Sequence, residues 1–327
     1  HHPAEFISSV LNNGGGFYSA AVYVWEGRRM GINFKLPSIN ESEYHYTGSG
    51  KGVQIGLMAI RNLPKEFCEK VIDERKENGE YKSLPDFLVR VRPGPEETAS
   101  LIKCGAMDCF KYTRPTLLRL LNVYLNSRKI LDEFTSDLFV SESFRLEKEV
   151  ITDEDYSIAE KCSIEYETFG YMITKHPLEF FSEFTSAKDI IKAADMAKYD
   201  RRKVKMIGWY MASKRITTKK GEAMKFLSLE DMSGTFEAVI FPRVYARVAE
   251  NTMSRGPYLV EGRVDVEGGN NLVVDKLEVL ADIKLRVSQN EFSPEAQYSE
   301  KDEFREEDIS LIELNTEKLV NAYAINQ

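Results

Sequence analysis

Between Arg201 and Lys225 the chain carries nine basic residues and a single acidic one, Glu222, although its formal net charge is −8. Lys214, Arg215, Lys219 and Lys220 form the densest part, and Trp209, Tyr210, Phe226, Phe236 and Phe241 are interleaved with or follow the charge. Cations mixed with aromatic rings suit single-stranded nucleic acid. The cations release counterions from phosphates, and each base stacked on a ring contributes about 1–3 kcal/mol. The same residues have a plainer use. Aromatics on strands fill cores, lysines on edges and turns keep them soluble, and alternating strand geometry cannot turn all five rings outward. The sequence leaves both uses open.

The elements that must hold these residues are strands. From Arg201 the pattern reads VKMIGWYMASKRI, MKFLSLED, TFEAVIF, YLVEGRVDV and NLVVDKLEVL, with PRVYARVAEN as a helix between the third and fourth. Five short strands with a helix in that place is the order of an OB-fold barrel, and it sets Lys214, Arg215, Lys219 and Lys220 at the end and turn of the first strand, bordering a binding face.

The first half of the chain reads as helices. Phe6, Ile7, Val10 and Leu11 give Ala4 to Asn12 a helical spacing, and a second helix runs from about Tyr18 to Met30. The stretch from Gly31 to Leu57 loses that period and is expected to be loop with short strands. Further helices are expected in MAIRNLPKEFCEKVIDERKENG, stopped by Gly79, in SLPDFLVRV with Ser83 as cap, in RPGPEETASLIKCG, and in RPTLLRLLNVYLNSRKILDEF. IEYETFGYMITKHPLEFFSEF is expected to be helical up to a break at Pro177.

Composition excludes several classes. With 43% hydrophobic residues the chain can bury real cores. It shows no apolar run of membrane-spanning length and no signal-peptide arrangement, so no membrane role and a cytoplasmic location are expected. Cys68, Cys104, Cys109 and Cys162 lack metal-ligand spacing, and the only histidines are His1, His2, His45 and His176, so neither a zinc site nor a disulfide framework is indicated. The opening His1-His2-Pro3, without methionine, suggests a piece of something longer.

Taken in order, HHPAEF with YVWEGRRMGINFKLPSINESEYHY, then GKGVQIGLMAIRNLPKEFCEKVIDERKENGEYKSLPDF and LIKCGAMD, then IEYETFGYMITKHPL, then KRITTKKGEAMKFLSLEDMSGTFEAVIFPRVY resemble the C-terminal part of the bacterial DNA polymerase III alpha subunit, from about His2 to Leu280. The resemblance implies a multidomain α+β chain: the end of a fingers region (1–50), an all-helical helix-hairpin-helix module (51–134), a connector with a clamp-binding-like peptide and helices (135–200), a five-stranded OB-fold β-barrel (201–282) and an acidic tail (283–327). It implies DNA contacts by Lys214, Arg215, Lys219, Lys220, Trp209, Tyr210, Phe226 and Gly105, the last in the second hairpin. It implies single-stranded and primer-template DNA, the sliding clamp and other replicase subunits as partners.

Two departures qualify the resemblance. The first hairpin reads Asn62-Leu63-Pro64-Lys65 where the family has a glycine-containing turn, and Pro64 has no amide proton to offer a phosphate. The clamp-binding peptide, of the family pattern Gln-x-Asp/Ser-Leu-Phe, reads Thr135-Ser136-Asp137-Leu138-Phe139, keeping Asp137, Leu138 and Phe139 but not the glutamine. Two apolar anchors in a preformed pocket still bind, more weakly, and Leu138 with Phe139 can equally pack the connector down. The family's metal-holding carboxylates lie outside the matched region. The parent enzyme is implied to use Mg, no cofactor is expected in this chain, and no nucleotidyl transfer is expected from it alone. A stand-alone OB-fold accessory protein and a protein-interaction scaffold remain alternatives.

Overall fold

The computed structural model describes residues 2–131 and 151–280, except 15, 17 and 268. The chain divides between Phe181 and Ser182 into two compact units.

The first unit opens with α1 (Pro3–Asn12) and α2 (Ala20–Arg29). Ala4, Ile7 and Leu11 fall on one face of α1 and are buried. Three short strands follow: β1 (Asn33–Lys35), β2 (Thr47–Ser49) and β3 (Gly52–Gln54), with β3 central, parallel to β1 and antiparallel to β2. Gly48 lets β2 lie against α1, since a Cβ there would stand 2.2 Å from the Ala4 carbonyl oxygen. The short strands expected between Gly31 and Leu57 are present, and the last of them, β3, falls at the start of the 51–134 stretch expected to be all-helical.

Four helices then form the hairpin module: α3 (Lys65–Asn78), α4 (Leu84–Val91), α5 (Pro95–Lys103) and α6 (Arg114–Leu131). Gly79 stops α3 with φ 81°, and the Ser83 hydroxyl caps α4 by accepting the Asp86 N–H at 3.3 Å, both as the sequence predicts. After residue 150 the chain re-enters the same unit through α7 (Ile158–Phe169). This helix ends at Gly170, φ 84°, well before Pro177 where the sequence placed the break. The buried Glu165 carboxylate fixes the return, accepting the amides of Ile173 at 2.7 Å and Thr174 at 2.8 Å. One apolar core runs from Ala4 through Phe87, Ile102 and Leu117 to Ile173.

The second unit is a closed five-stranded barrel: β4 (Lys203–Thr217), β5 (Ala223–Glu230), β6 (Thr235–Ile240), β7 (Tyr258–Asp265) and β8 (Asn271–Val279). Its order is β4-β5-β6-β8-β7, closing on β4, with β6 and β8 the one parallel pair. That order, with α8 (Pro242–Val248) between β6 and β7, is the OB fold. Leu227, Leu229, Phe236, Ala238, Tyr258, Val260, Leu272 and Leu277 alternate inward and fill it. At the bulge between Glu261 and Gly262 the strands approach closely, and a Cβ on Gly262 would stand 2.2 Å from the Val273 carbonyl oxygen.

Candidate nucleic-acid interface

β4 has two neighbours along different parts of its length. From Lys203 to Gly208 it pairs with β7, and from Trp209 to Thr217 it pairs with β5. Its second half continues the barrel wall on β5, which β6 backs as far as Lys225; Ile216, Thr217, the turn 218–222 and the first two residues of β5 reach past β6 as a short arm. Lys214 and Arg215 lie at the base of this arm, toward the end of β4, and Lys219 and Lys220 occupy its turn, as the sequence predicts.

A register shift between Tyr210 and Ala212 leaves Met211 as an extra residue in β4. Before it, Trp209 stands opposite Glu230 and Tyr210 opposite Leu229; after it, Ala212 meets Ser228 and Lys214 meets Phe226. Leu227 and Leu229 point into the barrel, so Tyr210 shares the inner side, and Trp209, Lys214 and Phe226 share the outer one. The Tyr210 hydroxyl donates to Ser213 Oγ at 3.2 Å on that inner side.

The aromatics divide accordingly. Phe236 is core. Phe226, only 7% exposed, belongs with Met224 and Val239 to a small outer cluster against which Ile216 and Phe241 pack. Tyr210 is half-buried against the barrel core. Trp209 is half-buried on the outer side. Of the three rings proposed to stack, Phe226 has the least surface to offer.

The basic stretch is not uniformly available. Lys203 pairs with Asp275 at 2.9 Å, Lys205 with Asp189 at 3.0 Å, and Arg201 with Asp200 at 3.8 Å. Lys225 is buried and donates to the Thr252 carbonyl at 2.9 Å and hydroxyl at 3.2 Å. Burial, aided by the neighbouring Arg215 charge, pulls its ammonium below the ordinary lysine range. On the outer side, opposite Ser228, sits Glu237, whose carboxyl is raised by burial against the countervailing pull of Lys214.

Asp231, which the sequence shows only as a break between two apolar runs, ties down the β5–β6 turn. Its Oδ1 accepts from the amides of Ser233 at 2.7 Å and Gly234 at 3.0 Å, and its Oδ2 from the Ala193 amide at 2.7 Å. The Asp-x-Ser-Gly spacing was a legible turn signal. Its reach to Ala193 was not.

In the hairpin module, Gly105 occupies the left-handed position after α5, φ 89°. Its amide donates to the Ile102 carbonyl at 3.1 Å, and the Ala106 amide donates to Leu101 at 2.9 Å, a Schellman closure. Arg114 lies directly over it: a Cβ on Gly105 would stand 2.2 Å from a guanidinium nitrogen. That guanidinium is buried and forks onto Asp108 at 3.1 and 2.8 Å, with a third bond to the Lys103 carbonyl at 3.2 Å. Gly105 thus has a packing role, with its amide spent inside the turn. Arg114 was missed in the sequence, since nothing in the spacing relates it to Gly105. In the first hairpin Asn62 adopts φ 61°, holding without glycine the conformation a glycine turn would take.

The peptide containing Asp137, Leu138 and Phe139 and the acidic tail lie outside the described residues. Among the described residues no group of three or more His, Cys, Asp or Glu could hold a metal ion. No described helix is long and apolar enough to cross a membrane.

Fold and site together define a chain that joins a helix-hairpin-helix module to an OB barrel with a basic arm. A family model described as a helix-hairpin-helix motif matches residues 31–117. The DNA polymerase III subunit alpha of Staphylococcus epidermidis (strain ATCC 35984) is 30% identical over 271 residues, covering 81% of this chain and 25% of that protein. That of Bacillus subtilis (strain 168) is 27% identical over 293 residues, covering 86% and 26%. The resemblance read in the sequence is thereby confirmed: this chain is related to bacterial DNA polymerase III alpha subunits and spans about a quarter of the length of the curated relatives it matches. A domain of replication protein A from Methanococcus maripaludis matches with a TM-score of 0.24 at 16% identity, covering 28% of this chain and 94% of that one. At that score the likeness carries no weight; the barrel is assigned from its own strand order.

Proposed function

We propose that this chain is the C-terminal DNA- and clamp-holding region of a bacterial replicative DNA polymerase III alpha subunit. Its OB barrel holds single-stranded template and its helix-hairpin-helix module lies near primer-template DNA. The observation that carries the reading is the basic arm, with Lys214 and Arg215 on the strand and Lys219 and Lys220 in the turn, built on a barrel whose sequence relatives are polymerase alpha subunits. The cations engage phosphates, and Trp209 with part of Tyr210 supplies stacking surface. Leu138 and Phe139 dock on the sliding clamp with Asp137 orienting the peptide. Other replicase subunits are further partners, the setting is the cytoplasm, and nucleotidyl transfer with Mg belongs to the parent enzyme.

The test is fluorescence anisotropy of a labelled single-stranded oligonucleotide at about 50 and 200 mM salt, the range in which phosphate contacts weaken steeply. The chain should bind with a steep salt dependence. Each phosphate contact on a single strand contributes about 0.7 to that slope, so K219E/K220E should flatten it by about 1.4. No binding at the lower salt overturns the reading and favours a protein partner for the barrel.

A further inference from the structure

Two polar groups on the outer side of the barrel stand opposite one another, and neither is satisfied. Ala212 of β4, Ser228 of β5, Glu237 of β6 and Asn271 of β8 form one row across four strands, on the side away from Leu227, Leu229 and Ala238, which line the core. Asn271 is 4% exposed, and its Nδ2 has no acceptor. Asp265, its neighbour on the other flank, spends Oδ1 on the Glu267 amide at 3.0 Å. Among the described residues nothing donates to the Glu237 carboxylate, and burial holds its pKa above the ordinary glutamate value. Buried polar groups are nearly always paired, and each one left unmet costs its full desolvation. A donor and an acceptor that face each other without bonding are therefore set for a ligand.

The row suits a flat ring. Ala212 and Ser228 carry small side chains, so about 10 Å of the row beside Glu237, two interstrand spacings, is low. Trp209 borders it in the preceding row, opposite Glu230, and Lys214 and Phe226 border it in the next. Ala212, Ser228 and Glu237 are each partly exposed, so the row is open along its length and closes only over Asn271. The χ2 torsion of an asparagine is soft, and turning it lets Nδ2 meet a ligand held at Glu237.

The pair offers an acceptor with two oxygens beside an amide donor. Of the four bases, only guanine presents two adjacent donors, N1–H and the 2-amino group, next to an acceptor, O6. Adenine and cytosine offer one amino group beside an acceptor, and thymine one N–H between two acceptors. We propose that Glu237 and Asn271 form a guanine-reading subsite on the single-strand face, the carboxylate accepting N1–H and N2–H and the asparagine amide donating to O6. The inference deepens the proposed DNA binding and rests on it. Phosphate contacts by the basic residues hold any sequence, and this subsite selects the register in which a guanine falls over Ala212 and Ser228.

The test is anisotropy competition on the full chain, at about 50 mM salt, among oligo-dT strands of one length that carry a single central dG, dA, dC or deoxyinosine in place of one dT. The dG strand should bind about tenfold tighter than all-dT, the worth of one two-bond base contact. Deoxyinosine, which lacks the 2-amino group, should lose most of that factor. E237Q and N271A should each bring the dG-to-dT ratio close to one, with urea midpoints checking that both variants fold. Equal binding of the dG and all-dT strands overturns the guanine subsite and leaves the DNA reading standing. Equal tightening by dA marks stacking alone and overturns the hydrogen-bonded reading. A dG preference that survives in both variants overturns its assignment to Glu237 and Asn271. Failure of every strand to bind overturns the DNA reading, and this inference with it.

Discussion

Trp209 and Lys214 stand on the same face of β4 although they are five positions apart. An unbroken strand would set them on opposite faces. The extra residue Met211 shifts the register once, so Trp209, opposite Glu230, joins Lys214, opposite Phe226, on the outer side. The bulge thereby places one ring and one cation of the sequence's basic stretch within a common surface, and leaves Tyr210 on the inner side.

That division separates two effects that the sequence lumps together. W209A, at a half-buried ring, should cost less stability than F226A and cost about 1–3 kcal/mol of single-strand affinity, the worth of one stacked base. F226A removes a 7%-exposed ring from the Met224–Val239 cluster and should cost about 3–5 kcal/mol of stability. Urea denaturation and anisotropy titration on both variants check this; affinity loss without stability loss in F226A would put that ring in the binding surface instead.

Gly105 is fixed by what lies over it. G105A forces a side chain into the left-handed region and against the Arg114 guanidinium, so it should destabilise the first unit by about 1–3 kcal/mol. R114M, which removes the fork on Asp108, should destabilise the same unit in denaturant and relieve part of the G105A penalty in the double variant. A G105A chain of unchanged stability with lost duplex binding would instead give Gly105 a direct DNA contact.

Lys225 gives the second unit a pH dependence of defined sign. Its folded-state value is lowered, chiefly by burial, so the unfolded chain binds more protons between that value and the ordinary lysine value of about 10.4. Stability contributed by this group therefore rises with pH across that window and is lowest below it. K225M, which keeps the length of the side chain, should remove this rise in denaturant midpoints measured from pH 8 to 10.5; an identical profile would show that the ammonium is solvated.

The sequence by itself determined the periods and the punctuation. Strand alternation after Arg201, the helix between the third and fourth strands, the Ser83 cap and the Gly79 stop are local signals, each set by the steric and hydrogen-bonding habits of a few adjacent residues. The basic arm was legible for the same reason, because a turn and its flanking charges are close in sequence. What only the tertiary structure decided depends on partners far apart in the chain. The end of α7 at Gly170 came from a glycine turn stabilised by Glu165, where the proline further on was the louder local signal. Lys225 lost its place in the basic surface by reaching Thr252, Asp231 became a tether by reaching Ala193, and Gly105 became a seat for Arg114. Burial is a property of the assembled core, so no count of charges could show which cations the fold would consume.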